Sequence, residues 1–129
     1  MDVFIADDSR VVIDRMAALL AEIPGVRLVG QEGDVRLALR SIEQLNPQAV
    51  ILDLQMPGGS GMDILRAIRG DRPGLTIIIC TNFAHPQYRR RCLEAGANFF
   101  LDKSNEFERI PAILRGLIHG SARTASARL

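Results

Sequence analysis

The sequence predicts an α/β fold: a doubly wound, three-layer sandwich with helices on both faces of a five-stranded parallel sheet. Three observations predict it. Five short apolar runs start about 22 to 26 residues apart, and the segments between them carry helical periodicity. Two of the runs, Val50-Ile51-Leu52 and Ile77-Ile78-Ile79, are apolar on both faces, as strands covered from both sides must be. Strands alternating with helices in this way imply βαβ units joined by right-handed crossovers.

The first run is Val3-Phe4-Ile5-Ala6. The helix after it places Val12, Met16, Leu19, Leu20 and Ile23 on one face, and Pro24-Gly25 stops it. The second run, Val26-Arg27-Leu28-Val29-Gly30, leads to a helix marked by Val35, Leu39, Ile42 and Leu45, which ends at Asn46-Pro47. The third, Ala49-Val50-Ile51-Leu52, precedes a helix carrying Met62, Leu65 and Ile68, with Gly70 closing it. The fourth run spans Leu75 to Cys80, and its helix runs from near Pro86 to Gly96. The fifth, Asn98-Phe99-Phe100-Leu101, is followed by a helix starting at Pro111, which suits a first helical turn. Ile113, Leu114, Leu117 and Ile118 give that helix its apolar face. The single domain is expected over 1–119, with 120–129 as a flexible tail or linker.

Composition narrows the function. The 129 residues suit one domain, and 47% hydrophobic with 24% charged residues excludes a disordered chain. Sixteen Lys and Arg balance fifteen Asp and Glu, so charge gives no support for direct nucleic-acid or membrane binding. No apolar run approaches the ~20 residues of a membrane span. The first residues lack the basic region of a signal peptide. Cys80 and Cys92 have no CxxC spacing and read as reduced thiols of a cytoplasmic protein.

In a doubly wound sheet, ligands bind at the carboxyl ends of the strands. Asp7 and Asp8 follow the first strand, Asp53 the third, Thr81 the fourth, and Asp102 and Lys103 the fifth. Carboxylates converging on one rim repel unless a cation joins them, and hard oxygen ligands without His or Cys suit Mg²⁺ (or Mn²⁺). A lysine and a hydroxyl complete a site for a phosphoryl group, and one carboxylate can itself be the nucleophile, forming an acyl phosphate. Taken alone, Asp8 or Ser9 could simply cap a helix, and Thr81 or Lys103 could be an ordinary surface residue. Asp53 beside a buried strand is harder to explain structurally. Gly58-Gly59-Ser60-Gly61 lacks the phosphate-loop patterns and reads as a flexible turn. His85 and His119 have no metal-ligand spacing. Arg89, Arg90 and Arg91 read as a solvated surface or a partner-docking face.

These residues resemble the receiver domain of two-component response regulators, the fold class of the chemotaxis protein CheY. The resemblance covers about residues 2 to 119. It rests on Asp7-Asp8, on Asp53-Leu54-Gln55-Met56-Pro57 followed by Gly61, on Thr81 and on Lys103. It implies a flavodoxin-like strand order 2-1-3-4-5 and a phosphoacceptor at Asp53. It further implies Mg²⁺ held by Asp7, Asp8, Asp53 and the backbone carbonyl of Gln55. Lys103 would pair with the phosphoryl group, Thr81 would be the switch hydroxyl, and Phe100 the switch aromatic. Asn82 stands where the family often has Ala or Gly, and a larger side chain there would restrict access; Phe83 and Gln55 would crowd the path of attacking water. Ser104 follows Lys103 where Pro is common, which leaves open the cis peptide typical of that junction. The stretch from Asp102 to Phe107 looks like receivers of the NarL/LuxR type.

The resemblance implies a signalling protein rather than an enzyme with an external substrate. A sensor histidine kinase or a histidine phosphotransfer protein would donate the phosphoryl group, and a downstream effector or output domain would read the switch. Phosphorylation-dependent homodimerisation would fit such a protein. One alternative is that the chain is the N-terminal receiver module of a longer DNA-binding transcriptional regulator. A more remote one is an aspartyl-phosphate phosphatase of the haloacid dehalogenase type, whose nucleophile follows the first strand in a DxD pattern; here the first strand ends in adjacent acids.

Overall fold

The computed structural model describes residues 1–127. Its large sheet is built from β1 (Asp2–Ala6), β2 (Arg27–Glu32), β3 (Ala49–Leu52), β6 (Thr76–Thr81) and β7 (Phe99–Asp102), all parallel, in the order β2-β1-β3-β6-β7. Counted over this sheet alone, that is the expected order 2-1-3-4-5. A two-residue ribbon, β4 (Gln55–Met56) against β5 (Gly59–Ser60), lies between β3 and the third helix. The helices are α1 (Arg10–Ala21), α2 (Val35–Leu45), α3 (Gly61–Asp71), α4 (Pro86–Glu94) and α5 (Ile110–Ala127), with a 3-10 turn at Phe107–Arg109.

The pleat divides the core in two. Phe4, Val50, Leu52, Ile77, Ile79 and Phe100 point to one face, against α2, α3 and α4. Val3, Ile5, Ile51, Ile78, Cys80 and Leu101 point to the other, against α1 and α5. Successive residues of each central strand therefore serve opposite cores, the period-2 rule of an extended chain. β3 is buried throughout, while the edge strand β2 is only half-buried.

Several elements differ from the sequence reading. α1 buries Ile13 rather than Val12, together with Met16 and Leu20. Leu45, expected on the apolar face of α2, is exposed, and Ala38 is buried instead. Gly70 does not close the third helix, because α3 continues to Asp71. The glycine-rich turn is partly ordered as β5, and Ser60 caps α3 in a capping box with Asp63. The fifth helix starts at Ile110, one residue before Pro111, and runs to Ala127. Residues 128 and 129 lie outside the described residues. Asn46, in the left-handed region at φ 48°, ends α2 as its sequence position implied.

Candidate functional site

The pairing register places the site: β1 and β3 end level with each other, and β6 and β7 end together two residues further on. Ala6 pairs with Leu52, Leu52 with Ile79, and Thr81 with Asp102. Asp7 and Asp53 are each the first residue past a strand, and the Asp53 N–H donates to the Ala6 carbonyl at 2.9 Å. Lys103 is the first residue past β7, and its N–H donates to the Thr81 carbonyl at 2.9 Å. Two carboxylates, a hydroxyl and an ammonium thus meet at one edge although they come from across the sequence.

The ends of β1, β3, β6 and β7 adopt the same local turn. A side-chain oxygen of residue i accepts the backbone N–H of residue i+2: Asp7 from Ser9 (2.8 Å), Asp53 from Gln55 (3.2 Å), Thr81 from Phe83 (3.1 Å) and Asp102 from Ser104 (2.9 Å). Asp and Ser/Thr side chains favour such turns because they satisfy a loop amide locally. The turn occupies one oxygen of Asp7 and of Asp53 and leaves the second available, whereas the second oxygen of Asp102 accepts from the Asn105 side-chain amide at 3.1 Å. At Thr81 it uses a lone pair of the hydroxyl and leaves the proton free to donate.

The second oxygens of Asp7 and Asp53 converge on Lys103, whose ammonium donates to them at 2.7 and 2.8 Å. The Lys103 side chain is only 9% exposed, so all three charges are largely removed from water. Burial draws the Lys103 ammonium down, but its hydrogen bonds to Asp53 and Asp7 outweigh that and hold it above its ordinary value. Burial also pushes the Asp7 carboxyl up, against the pull of Lys103 and of the Ser9 N–H. Asp8 stands exposed beside them. One carboxylate oxygen from each of Asp7, Asp8 and Asp53 can be chosen so that all lie within 4.8 Å of one another. These are hard oxygen donors on a rim open to solvent at Asp8. That suits a cation such as Mg²⁺, which keeps several waters.

Two glycines allow this convergence. A Cβ on Gly61 would come within 2.2 Å of the Asp53 carbonyl oxygen. One on Gly33 would lie 3.0 Å from the Asp8 Cα. The sequence reading passed over Gly33, which has no motif of its own; only the chain crossing reveals its role. It also missed Glu106. That carboxylate accepts the Asp102 N–H at 3.0 Å and, held below its ordinary value by that bond and by Arg109, braces the loop carrying Lys103.

The remaining predicted positions fall around this centre. Phe100 is 4% exposed, packed in the core facing α2, α3 and α4. Asn82, Phe83 and Gln55 are exposed near the rim, and Phe83 meets Tyr88 edge-on at 6.4 Å. Among the described residues no peptide bond is cis, so Lys103-Ser104 is trans. The three arginines do not form one patch. Arg89 reaches the Phe100 carbonyl (3.4 Å) and lies near Glu106, whereas Arg91 and Arg66 lie near Cys92. Consecutive helical residues diverge by about 100°, which accounts for the split.

A family model, the response regulator receiver domain, matches residues 3–115. The chain belongs to that family. This receiver domain is 31% identical over 117 residues to the transcriptional regulatory protein YvfU of Bacillus subtilis, covering 91% of this chain and 58% of that protein. It is 28% identical over 120 residues to the transcriptional regulatory protein DesR of the same organism, covering 93% and 59%. The chain therefore spans somewhat more than half the length of these relatives. Its fold matches the isolated receiver domain of RcsB from Salmonella enterica serovar Typhimurium with a TM-score of 0.86, at 28% identity over 93% of this chain and 89% of that one. The receiver domain of a putative NarL from Mycobacterium tuberculosis gives 0.79, at 27% identity, covering 88% and 93%. The NarL/LuxR flavour read from the loop after β7 agrees with these neighbours. No helix among the described residues is long and apolar enough to cross a membrane.

Proposed function

We propose that this receiver domain is a phosphoacceptor that takes a phosphoryl group from a phosphohistidine onto Asp53. The observation that carries the reading is the Lys103 ammonium held between Asp53 and Asp7 at the ends of three parallel strands. An Asp53 carboxylate oxygen attacks phosphorus, and the P–N bond to the donor imidazole breaks. The imidazole leaves with the bonding electrons, and the product is an acyl phosphate. Lys103 is positioned to meet one phosphoryl oxygen, and the Thr81 hydroxyl, with its proton uncommitted, can donate to another. Asp7, Asp8, Asp53 and the Gln55 carbonyl would hold Mg²⁺ (or Mn²⁺), which supplies charge neutralisation at the transferring group. Without it, the three carboxylates and the lysine leave two negative charges in excess.

The donor is a sensor histidine kinase or a histidine phosphotransfer protein in the cytoplasm, and the chain acts by switching rather than by turning over an external substrate. The switch follows from differential interaction. A phosphoryl group that draws the Thr81 hydroxyl away from the Phe83 N–H loosens the loop before α4. Phe100, already buried, fixes the inward side-chain position. The surface of α4 and β7 that carries Arg89 then changes for an effector or for a second copy of the chain. The coverage of 58% and 59% of transcriptional regulatory proteins supports a second reading, in which the receiver is the N-terminal module of a DNA-binding regulator. The test is incubation with acetyl phosphate and Mg²⁺ followed by a phosphate-affinity gel. Wild type should shift and Asp53→Asn should not; an undiminished shift in the variant sinks the assignment.

A further inference from the structure

The two ends of α4 are attached by different chemistry. At its start the N-cap His85 makes no side-chain capping bond, and the loop before it is tethered by the Phe83 N–H on the Thr81 hydroxyl. Midway along, Arg89 reaches the Phe100 carbonyl in a long contact of 3.4 Å. At the far end the chain leaves through Gly96, at φ 109°, and the Arg69 side chain of α3 lies directly on it. A Cβ there would meet Arg69 Cγ at 2.7 Å. The guanidinium uses its whole fork at this point. Nε donates to the Gly96 carbonyl (3.0 Å), Nη1 to the Arg72 and Pro73 carbonyls (3.1 and 2.8 Å), and Nη2 to Asn98 Oδ1 (2.8 Å). The same Asn98 oxygen accepts the Ile77 N–H at 2.8 Å. One cation thus fastens the end of α3, the exit of α4 and the amino ends of β6 and β7 to each other. Cys92, the one buried residue of α4, sits in its last turn, next to the fastened end.

Building on the phosphoacceptor reading, we propose that Arg69 is a hinge pin. Phosphorylation of Asp53 swings α4 about Gly96, displacing its first turns and leaving its exit and the amino ends of β6 and β7 in place. Charge-assisted hydrogen bonds are stronger than neutral ones, so the Thr81–Phe83 tether yields before the Arg69 fork does. At about 1.5 Å per residue, Pro86 lies about 12 Å from Glu94 along the axis, so a shift of the preceding loop becomes a tilt. Without the pin α4 moves as a whole, and the movement reaches Asn98 and Ile77.

The experiment compares wild type with Arg69→Met, which keeps the stem and removes every donor, with Arg69→Lys, and with Arg66→Met on the same helix. Amide exchange is measured first, without phosphodonor. In Arg69→Met the Ile77, Ala95, Gly96 and Ala97 amides should exchange about tenfold faster, the loss of one charge-assisted bond. The β1 and β3 amides should keep their rates, as should all amides of Arg66→Met. Residual dipolar couplings are then measured with and without Mg²⁺ and beryllofluoride, an acyl-phosphate mimic. In wild type the couplings of Tyr88, Arg89 and Arg90 should change while those of Ile77, Ala97 and Asn98 hold. In Arg69→Met both sets should change. If that variant loses its fold, Arg69→Lys decides, with the same local pattern to a smaller degree. Wild-type couplings that change equally at both ends of α4, or Arg69 variants that match wild type, overturn the hinge alone. No change in wild type anywhere, the surroundings of Asp53 included, overturns the phosphoacceptor reading and the hinge together.

Discussion

Replacing Lys103 with Met exposes how much of the site is held by charge. The ammonium lies 2.7 Å from Asp7 and 2.8 Å from Asp53, and the two aspartate side chains are only 2% and 8% exposed. Taking one partner from a buried ion pair costs about 3–5 kcal/mol, since it leaves uncompensated charge. The rim is open at Asp8, so the lower end applies, about 3 kcal/mol. At this chain length each kcal/mol moves the melting temperature by about 4 °C. Lys103→Met should therefore melt about 12 °C below wild type at neutral pH in chelator. Asp7 sets the pH dependence. Its carboxyl is raised in the fold above the ordinary 3.8. As pH climbs from that value, the unfolded chain ionises first and stability falls until the folded group has ionised too. Acidification reverses the penalty, and it should do so more strongly in Lys103→Met, where the opposing ammonium is gone. Added Mg²⁺ should likewise recover more stability in the variant than in wild type. Differential scanning fluorimetry over a pH series, with chelator and with excess Mg²⁺, reads all three. A variant melting within 3 °C of wild type in neutral chelator refutes the reasoning about buried charge.

Other outcomes follow from single contacts. Gly61→Ala puts a methyl 2.2 Å from the Asp53 carbonyl oxygen, against backbone that cannot rotate away. It should destabilise by about 2–3 kcal/mol and slow Asp53 phosphorylation; an unchanged urea midpoint would contradict the close approach. Thr81→Ala should leave Asp53 phosphorylatable while silencing amide shifts over residues 86 to 103 on addition of beryllofluoride. Wild-type shifts in that variant would remove Thr81 from the switch. Cys80 is fully buried and burial pushes its thiol up to about 12, while Cys92 is buried and raised as well. A thiol reagent at neutral pH should label neither in the folded chain and both in denaturant; fast native labelling of Cys80 would mean that its side of the core opens.

Much of this was legible in advance because strand periodicity and strand ends are local. Asp7, Asp53, Thr81 and Lys103 each sit at the point where an apolar run stops, and parallel pairing does the rest. What was not legible depends on register and crossing. Val12 and Ile13 are equally apolar, and only the helix phase against the sheet buries the second. Leu45 fits the periodicity of α2 and its side chain reaches Gly30 of the edge strand β2, but in the last turn it stays 42% exposed. Gly70 looks like a stop, yet Arg69 beside it donates to the Gly96, Arg72 and Pro73 carbonyls and to Asn98 Oδ1, which ties down the end of α3. The contact between Asn82 and Ser104 spans 22 residues and has no pattern of its own.

The way α4 is attached has a kinetic meaning. Of its nine residues only Cys92 is buried, whereas α1 anchors itself with Ile13, Met16 and Leu20. A helix held by so little apolar area opens independently of the rest of the fold, at a fraction of the global unfolding free energy. Its amide protons should therefore exchange with solvent well before those of α1 and the central strands. A segment held by so few buried contacts can be repositioned by small forces from its preceding loop. The fold thus keeps fully buried strands beneath the carboxylates and a lightly anchored helix on the surface next to them.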